Sequence, residues 1–357
     1  MAPLVVLVAL AWIVSVTALG RDDVPTVESR ADIPVGLSYG NRLLSLSDTD
    51  LAAALDDAVT LHTPWIRVDL SWADMQPDSA GDHRWASTDR LVAAAGDRGL
   101  KVLGIVTYTP PWARAAGCTT FACPPADGRQ FARFAHDVAE RYAGRISAYE
   151  IWNEPNLALF WTDPDPAAYG RLLDLTIPAI RTADDEATVI LGGLAALPTG
   201  DRSIDAADFI RGACGSRDCS VDAVAYHPYT FPRLASAEGD PPTAWARMLS
   251  DRPGSNGIRT AMAEVGLSDR RIWVTEYGAP TIGDRPGDDH VSEAQQSAIL
   301  RDALRSAEQD SGIIGAFFWY TWKDYDSYGS NEDGFGLRRT DGTAKPAFFA
   351  LARALAP

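Results

Sequence analysis

Eight short apolar runs alternate with segments of helical spacing along this chain, and the alternation predicts a single-domain (β/α)8 barrel. The runs are rich in β-branched and aromatic residues, as expected for parallel strands that are covered by helices. The chain has 357 residues, 46% of them hydrophobic, which is enough for such a barrel of about 250 residues with insertions.

The eight predicted strands share a length of four to eight residues, and Gly, Pro or polar residues follow most of them. They are Val35–Tyr39, Trp65–Leu70, Val102–Thr107, Ala148–Trp152, Thr188–Leu194, Ala223–Tyr226, Ile272–Thr275 and Ile314–Thr321.

Helix-start signals separate the strands. Asp48-Thr49-Asp50 caps a helical run through Val59, Ser87 begins one through Arg98, and Ser292-Glu293 opens a long helix to about Asp310. Long loops are predicted after strand three, at Trp112–Asp127, and after strand six, at Pro232–Pro242. Loops at strand ends are where barrel enzymes build their sites.

An open doubly wound sheet is the alternative architecture. That fold usually carries a glycine-rich fingerprint after its first strand. Here the first strand is followed by Gly40-Asn41 without that pattern, which favours the barrel.

The charge balance limits the partners. A formal net charge of −16, with acidic residues spread along the chain, argues against nucleic acid or anionic lipid as the main partner. We expect no cofactor, because neither a metal-ligand cluster nor a nucleotide-binding motif is visible in the sequence. We also expect a monomer.

Residues 3–20 are almost entirely apolar and are followed by Arg21-Asp22-Asp23. This segment resembles a secretory signal peptide, although its n-region lacks Lys and Arg, and an uncleaved membrane anchor is the alternative. We therefore separate residues 1–20 from a catalytic domain at 21–357. We expect a secreted or extracellular protein, or one attached to the membrane or cell wall.

The four cysteines form two close pairs, Cys118/Cys123 and Cys214/Cys219. In an exported protein, such pairs indicate two local disulfides that stiffen surface loops. A zinc site is the competing interpretation, but neither pair has CxxC spacing and no His is adjacent.

Two glutamates end apolar runs. Glu154 comes directly after Ile151-Trp152-Asn153, at the end of strand four. Glu276 comes directly after Ile272–Thr275, at the end of strand seven. A carboxylate where a buried strand emerges is costly without a task, and strands of one barrel can bring two of them together. Two converging carboxyl groups are what hydrolysis of a glycosidic bond requires. The alternative is a pair of ion-paired core residues.

The motifs Asn153-Glu154-Pro155 and Thr275-Glu276-Tyr277-Gly278 resemble those of retaining (β/α)8-barrel glycoside hydrolases of clan A. The stretch 151–161 is especially similar to families 39 and 5. The resemblance implies that Glu154 is the acid/base and Glu276 the nucleophile. It extends from strand one to the C-terminus.

The resemblance also implies roles for four polar residues. Arg67 matches an arginine that holds the nucleophile. Asn153 matches an asparagine that binds the sugar 2-hydroxyl. His227 and Tyr229 match a pair at the end of strand six, where the tyrosine hydroxyl contacts the nucleophile. The alternatives are an Arg67 paired with Asp69 or another structural acid, an Asn153 in an Asx turn, and a structural His227.

Eleven tryptophans are many for this length, and aromatic faces bury sugar rings well. The resemblance implies a tryptophan platform at the end of strand eight, for which Trp322 is preferred over Trp319. Trp112, after strand three, is a second candidate, and Trp72 and Trp161 are weaker ones. For each of them, a place in the core is the alternative.

The predicted function is therefore double-displacement hydrolysis of a polysaccharide, oligosaccharide or glycoconjugate. A transglycosylase would share every residue named, and a catalytically silent carbohydrate-binding barrel is a further alternative. If the source is an actinobacterium, as the bias toward Arg, Ala, Asp and Gly suggests, the substrate could be a cell-wall galactan or arabinogalactan, as for a galactofuranosidase.

Overall fold

A computed structural model of the protein describes residues 32–283, 289–326 and 329–357. The predicted signal peptide or anchor at residues 1–20 lies outside these residues. Among the described helices, none is long and apolar enough to cross a membrane.

The chain forms the predicted closed barrel of eight parallel strands in sequence order, β1 to β8, with β8 returning to β1. The strands are Val35–Gly40, Trp65–Ser71, Lys101–Thr107, Ala148–Asn153, Thr188–Ala195, Ala223–His227, Arg271–Tyr277 and Ile314–Tyr320. All eight predicted strands are confirmed, each within two residues at either end.

Helices α1 to α11 cover the outside of the barrel or lie in the connecting loops. They are Arg42–Ser45, Asp48–Thr60, Trp72–Met75, Ala86–Gly96, Gly128–Tyr142, Pro166–Ala183, Ala206–Cys214, Ala244–Leu249, Ile258–Glu264, Glu293–Gln309 and Pro346–Leu355. Ser292 begins α10 as predicted and forms a capping box with Gln295. The cap of α2 is Ser47, which accepts from the Asp50 amide and lies just before the predicted Asp48-Thr49-Asp50. Helix α4 begins at Ala86, one residue before the predicted Ser87, and has no side-chain cap.

Two apolar clusters hold the barrel together. The larger lies between the strands and the helices, and the smaller fills one end of the barrel interior. The interior cluster consists of Trp65, Leu103, Ala148, Ile190, Ala223, Ala225, Ala316 and Phe318. Because successive side chains alternate across a strand, inward residues nearer the C-terminal strand ends are free to be polar and to form a site.

The loop after β8 is fixed by a buried ion pair. Lys345 Nζ lies 2.7 Å from Asp324 Oδ1, and it also donates to Thr281 Oγ1 and the Gly334 carbonyl. Both charged side chains are 1% exposed, so each needs the other to stay buried as an ion. This pair positions the segment that follows β8 against the end of β7.

Both cysteine pairs lie at disulfide-bonding distance, with Cα–Cα separations of 6.0 Å for Cys118–Cys123 and 5.2 Å for Cys214–Cys219. The predicted pairing is confirmed. The first closes a loop between β3 and α5, and the second joins the last residue of α7 to the segment that follows it.

Candidate active site

A buried ion pair lies directly above the apolar interior cluster. Arg67 on β2 donates from Nε and Nη2 to the two carboxylate oxygens of Glu150 on β4, at 2.9 and 2.8 Å. Both side chains are fully buried, and Gly193 N–H also donates to Glu150. The bidentate geometry offsets the cost of burying the two charges.

Arg67 also holds the predicted nucleophile. Its Nη1 lies 2.5 Å from Glu276 Oε1 and 3.0 Å from Ser38 Oγ, and its Nη2 donates to Asn153 Oδ1. The alternative, a structural acid as partner, is also realised, but that acid is Glu150 and not Asp69. Arg67 therefore contacts both the buried Glu150 and the residues at the C-terminal ends of the strands, which we call the barrel mouth.

The backbone at the end of β4 is unusual. Trp152 and Glu154 both have positive φ, at 71° and 44°. Such conformations cost about 1–3 kcal/mol each for residues other than glycine, and they persist only where neighbours fix them. Here the Glu154 N–H donates to the Gly193 carbonyl at 2.8 Å, and the Trp152 indole donates to the Phe160 carbonyl. The strained turn presents Glu154 to the barrel mouth.

His227 connects the two glutamates. Its Nδ1 lies 2.8 Å from Glu154 Oε1 and 3.7 Å from Glu276 Oε2, and its Nε2 lies 3.0 Å from Thr275 Oγ1. The ring reaches this position because β5 has glycine opposite it: a Cβ on Gly193 would lie 2.1 Å from Nε2. Only glycine permits this approach.

Glu276 is held at both oxygens. Tyr229 O–H donates to Oε2 at 2.9 Å, while Arg67 donates to Oε1. Burial alone would raise the pKa of Glu276, but nearby His227, Arg67 and the two hydrogen bonds outweigh it and hold the pKa below its ordinary value. This carboxylate is therefore kept ionised.

The irregular end of β7 brings Glu276 into the mouth. Pairing of β7 with β8 shifts register between Val274 and Tyr277. Thr275 and Glu276 are adjacent in sequence, yet one contacts His227 and the other Arg67. Strict alternation would send one of them to the outside of the barrel.

The two predicted catalytic carboxylates lie close together. One oxygen from each of Glu154 and Glu276, with one nitrogen of His227, fall within 4.8 Å of one another. A metal ion could bridge such a set, but Arg67 already balances Glu276, and both imidazole nitrogens have protein partners. The contacts account for the cluster without an ion.

Two further residues lie at the mouth: Asp69, predicted only as a possible partner of Arg67, and Tyr108, which the sequence pattern did not indicate. Asp69 lies two positions beyond Arg67 on β2 and is 8% exposed. Burial raises the pKa of Asp69 to about 7; Arg67 opposes this, while Glu276 and Glu150 add to it. Burial likewise raises the pKa of Tyr108, with Asp69 and Glu276 contributing. The alternation that predicts a buried Arg67 also places Asp69 on the same face.

Replacing Asp69 by asparagine is expected to stabilise the protein at pH 8 and to leave it unchanged below about pH 4. Because the pKa of Asp69 is raised, the folded form binds more protons than the unfolded chain between its ordinary value and about 7, so stability falls as pH rises through that range. The upper limit of the gain is about 4 kcal/mol.

Thermal unfolding of Asp69→Asn at both pH values measures this effect, with the exposed Asp185→Asn as the matched control. An equal gain in stability at pH 4 and pH 8, or no gain at pH 8, would contradict the raised pKa of Asp69.

The predicted tryptophan platform is corrected by the structure. Trp322 donates its indole N–H to Asp57 on α2 and packs on Tyr39, so it lies outside the barrel wall. Trp319 is fully buried in the outer cluster against Tyr277. Alternation from the interior residue Phe318 instead directs Tyr320 to the mouth, where its ring lies 5.4 Å from Phe335. Register, rather than nearness to the strand end, decides which residue faces the site.

The other tryptophan candidates also pack against protein. Trp112 donates to the Gln76 carbonyl and lies edge-on to Trp72, with part of its ring accessible. Trp72 is fully buried and Trp161 is 2% exposed. The structure does not bring any of these three to the glutamates through a contact of the described residues.

Comparisons with known proteins agree with this architecture. A curated β-xylosidase from Geobacillus stearothermophilus is 38% identical over 221 residues, covering 58% of this chain and 40% of the relative. The chain therefore matches about two fifths of that relative's length. No protein-family model matches the chain.

Solved structures show the same fold at low sequence identity. A family 39 glycoside hydrolase from Bacteroides cellulosilyticus has a TM-score of 0.67 and 21% identity, over 91% of this chain and 63% of that chain. A monomeric β-xylosidase from Caulobacter crescentus has a TM-score of 0.66 and 21% identity, over 90% of this chain and 69% of that chain. A family 5, subfamily 18 enzyme from Streptomyces cattleya, solved with GlcNAc, has a TM-score of 0.68 and 21% identity. The match covers 91% of this chain and 80% of that chain. The predicted resemblance to (β/α)8-barrel glycoside hydrolases is confirmed: the curated relative is a β-xylosidase, and the solved structures of families 39 and 5 share the fold.

Proposed function

We propose that the protein is a retaining O-glycoside hydrolase that cleaves a polysaccharide or glycoconjugate through a covalent glycosyl–enzyme intermediate. The observation that carries the proposal is that one carboxylate oxygen of Glu154 lies within 4.8 Å of one carboxylate oxygen of Glu276. Retaining enzymes hold their carboxyl groups about 5–5.5 Å apart, whereas inverting enzymes need about 6.5–9.5 Å to fit a water molecule.

In the first step, a Glu276 oxygen attacks the anomeric carbon while Glu154 gives its proton to the glycosidic oxygen. The bond from carbon to the leaving oxygen breaks, the leaving group departs as an alcohol, and the sugar is esterified to Glu276. The lowered pKa of Glu276 keeps the nucleophile charged, and Arg67 and Tyr229 fix both of its oxygens.

In the second step, Glu154 removes a proton from water, whose oxygen attacks the same carbon and releases Glu276. Asn153 supports both steps. Its Oδ1 is held by Arg67, and Nδ2 makes no hydrogen bond with the described residues, which leaves it for a substrate hydroxyl. The contact with His227 holds the Glu154 carboxyl in place while it acts first as an acid and then as a base.

The substrate proposal starts from the relatives. A β-xyloside is the first compound to test, because the curated relative is named a β-xylosidase. Plant, exopolysaccharide and bacterial cell-wall glycans follow, including galactan and arabinogalactan.

The proposed activity is tested by sugar release from this panel, using residues from Asp22 onward. We expect release by the parent, and a fall on the order of 10⁴-fold in the Glu276→Ala variant, which lacks the nucleophile. Longer products than the starting glycan would identify a transglycosylase. Equal release by the two proteins would overturn the assignment of Glu276. Bound glycan without turnover by the parent would favour the silent binding barrel.

We also propose that the protein is exported. The apolar segment at residues 3–20 and the two disulfides support an oxidising compartment. N-terminal sequencing of the protein recovered from culture medium and from membranes would separate a cleaved signal from an anchor. Full-length protein confined to the cytoplasm would contradict export.

A further inference from the structure

A row of aromatic rings leads out of the candidate site on the side of β3 and β4. Tyr108 follows β3, Phe121 lies in the loop beyond it, and Phe160 lies in the loop after β4. Ring centroids are 5.5 Å apart for Tyr108–Phe121 and 6.3 Å for Phe121–Phe160, both edge-to-face. We call Tyr108, Phe121 and Phe160 the aromatic row. It forms one continuous apolar path from the pocket outward.

The row begins inside the pocket. The Tyr108 ring lies 6.1 Å from Trp152, which is two residues before Glu154. Burial raises the pKa of the Tyr108 phenol, and the nearby carboxylates of Asp69, Glu276 and Glu154 raise it further. The indole of Trp152 in turn donates to the Phe160 carbonyl. The row and the turn that carries Glu154 are therefore parts of one packed unit.

The middle ring is exposed but firmly held. Phe121 is 47% exposed, although it lies inside the loop closed by Cys118–Cys123. Arg114 donates to the Thr119 carbonyl in this loop and to the Thr109 carbonyl before it, and Thr162 N–H donates to the Ala122 carbonyl. A rigid loop that displays a large ring has already lost the entropy that binding would otherwise cost.

The chemistry of Glu154 identifies the occupant. An acid on β4 must contact the glycosidic oxygen, while the anomeric carbon contacts Glu276 across the barrel. The group on the far side of that oxygen, the leaving group, therefore lies over the β3 and β4 loops, where the aromatic row is. Sugar rings present C–H faces that aromatic rings bury well.

We propose that the aromatic row, with Phe121 as its exposed platform, binds the first sugar of the leaving group. The inference rests on the proposed function and deepens it: the preferred substrate is an oligosaccharide or polysaccharide, cleaved with a sugar in the leaving position. Small alkyl glycosides leave the row empty and are poor substrates.

Phe121→Ala tests this with two substrates that share the same glycone. One is the oligosaccharide identified from the glycan panel, and the other is the corresponding glycosyl fluoride, whose leaving atom is too small to reach the row. We expect kcat/KM for the oligosaccharide to fall about tenfold, as for loss of one aromatic contact, and fluoride hydrolysis to remain at the parent rate.

Phe349→Ala is the matched control, because Phe349 lies on α11 and is 51% exposed, close to the value of Phe121. Phe349→Ala should leave the hydrolysis rates of both substrates unchanged. Thermal unfolding of both variants verifies that the fold is kept.

Parent-like oligosaccharide hydrolysis by Phe121→Ala would overturn the leaving-group site. An equal loss on both substrates would also overturn it, since the ring would then support the pocket and not the leaving group. If the parent hydrolyses no glycan of the panel and no glycosyl fluoride, the proposed function fails and the inference fails with it, which is a distinct outcome from either of these.

Discussion

Glu154→Ala is expected to lose activity according to the leaving group of the substrate. For an unactivated sugar leaving group, kcat/KM should fall by about 10²–10⁴-fold, the usual contribution of general acid catalysis. For a dinitrophenyl glycoside the first step should be nearly unaffected, because that leaving group departs without a proton. Hydrolysis of the intermediate then limits the rate, since the base for water is missing.

Azide adds a second readout to the Glu154→Ala experiment. Removing the side chain leaves space on the face from which water attacks, and azide needs no base. We expect azide to restore turnover of the dinitrophenyl glycoside and to yield a glycosyl azide with the configuration of the substrate. An azide product of opposite configuration would mean that Glu154 is the nucleophile.

Glu308→Ala is a suitable control for this variant. Glu308 is an exposed carboxylate on α10, outside the barrel. It should behave as the parent on both leaving groups and should not respond to azide. Equal losses on activated and unactivated substrates by Glu154→Ala would contradict the assignment of an acid/base role.

Arg67→Met is expected to damage both stability and activity. The change leaves Glu150 buried without its charge partner, and breaking a buried pair in this way costs about 3–5 kcal/mol. It also removes the donor to Glu276, and loss of one such contact to a reacting group lowers kcat by about 10²–10³-fold.

The double variant Arg67→Met with Glu150→Met separates the two effects. Replacing a buried ion pair by apolar residues of similar volume is often neutral, so the double variant should recover most of the lost unfolding free energy. It should not recover activity, because Glu276 still lacks its donor. Recovery of activity together with stability would show that Arg67 serves only the fold. Chemical denaturation and initial rates on the same preparations provide both measurements.

The barrel was predictable because its strands are unusually clear in sequence. Runs such as Val102–Thr107 are apolar throughout, as expected for strands covered on both faces, and the alternation with helices leaves few architectures. The convergence of Glu154 and Glu276 was predictable for another reason: a carboxylate at the end of a buried strand is costly unless it is paired or reactive.

Other parts of the site depend on geometry that sequence spacing does not contain. Glu150 lies within the strand that ends at Asn153, and only the barrel register shows that it meets Arg67. The irregular pairing of β7 turns Glu276 toward the mouth against strict alternation. The error over Trp322 has the same origin, because the side chain that faces the mouth is set by the register of β8 and not by proximity to its end.

The most direct measurement of the central claim is the anomeric configuration of the first sugar released, followed by proton NMR before mutarotation. One oxygen of Glu154 lies within 4.8 Å of one oxygen of Glu276, closer than the roughly 6.5–9.5 Å separation of inverting enzymes, so we predict that the new hemiacetal has the configuration of the substrate. First-formed product of inverted configuration would show a single displacement by water, and would contradict the covalent role assigned to Glu276.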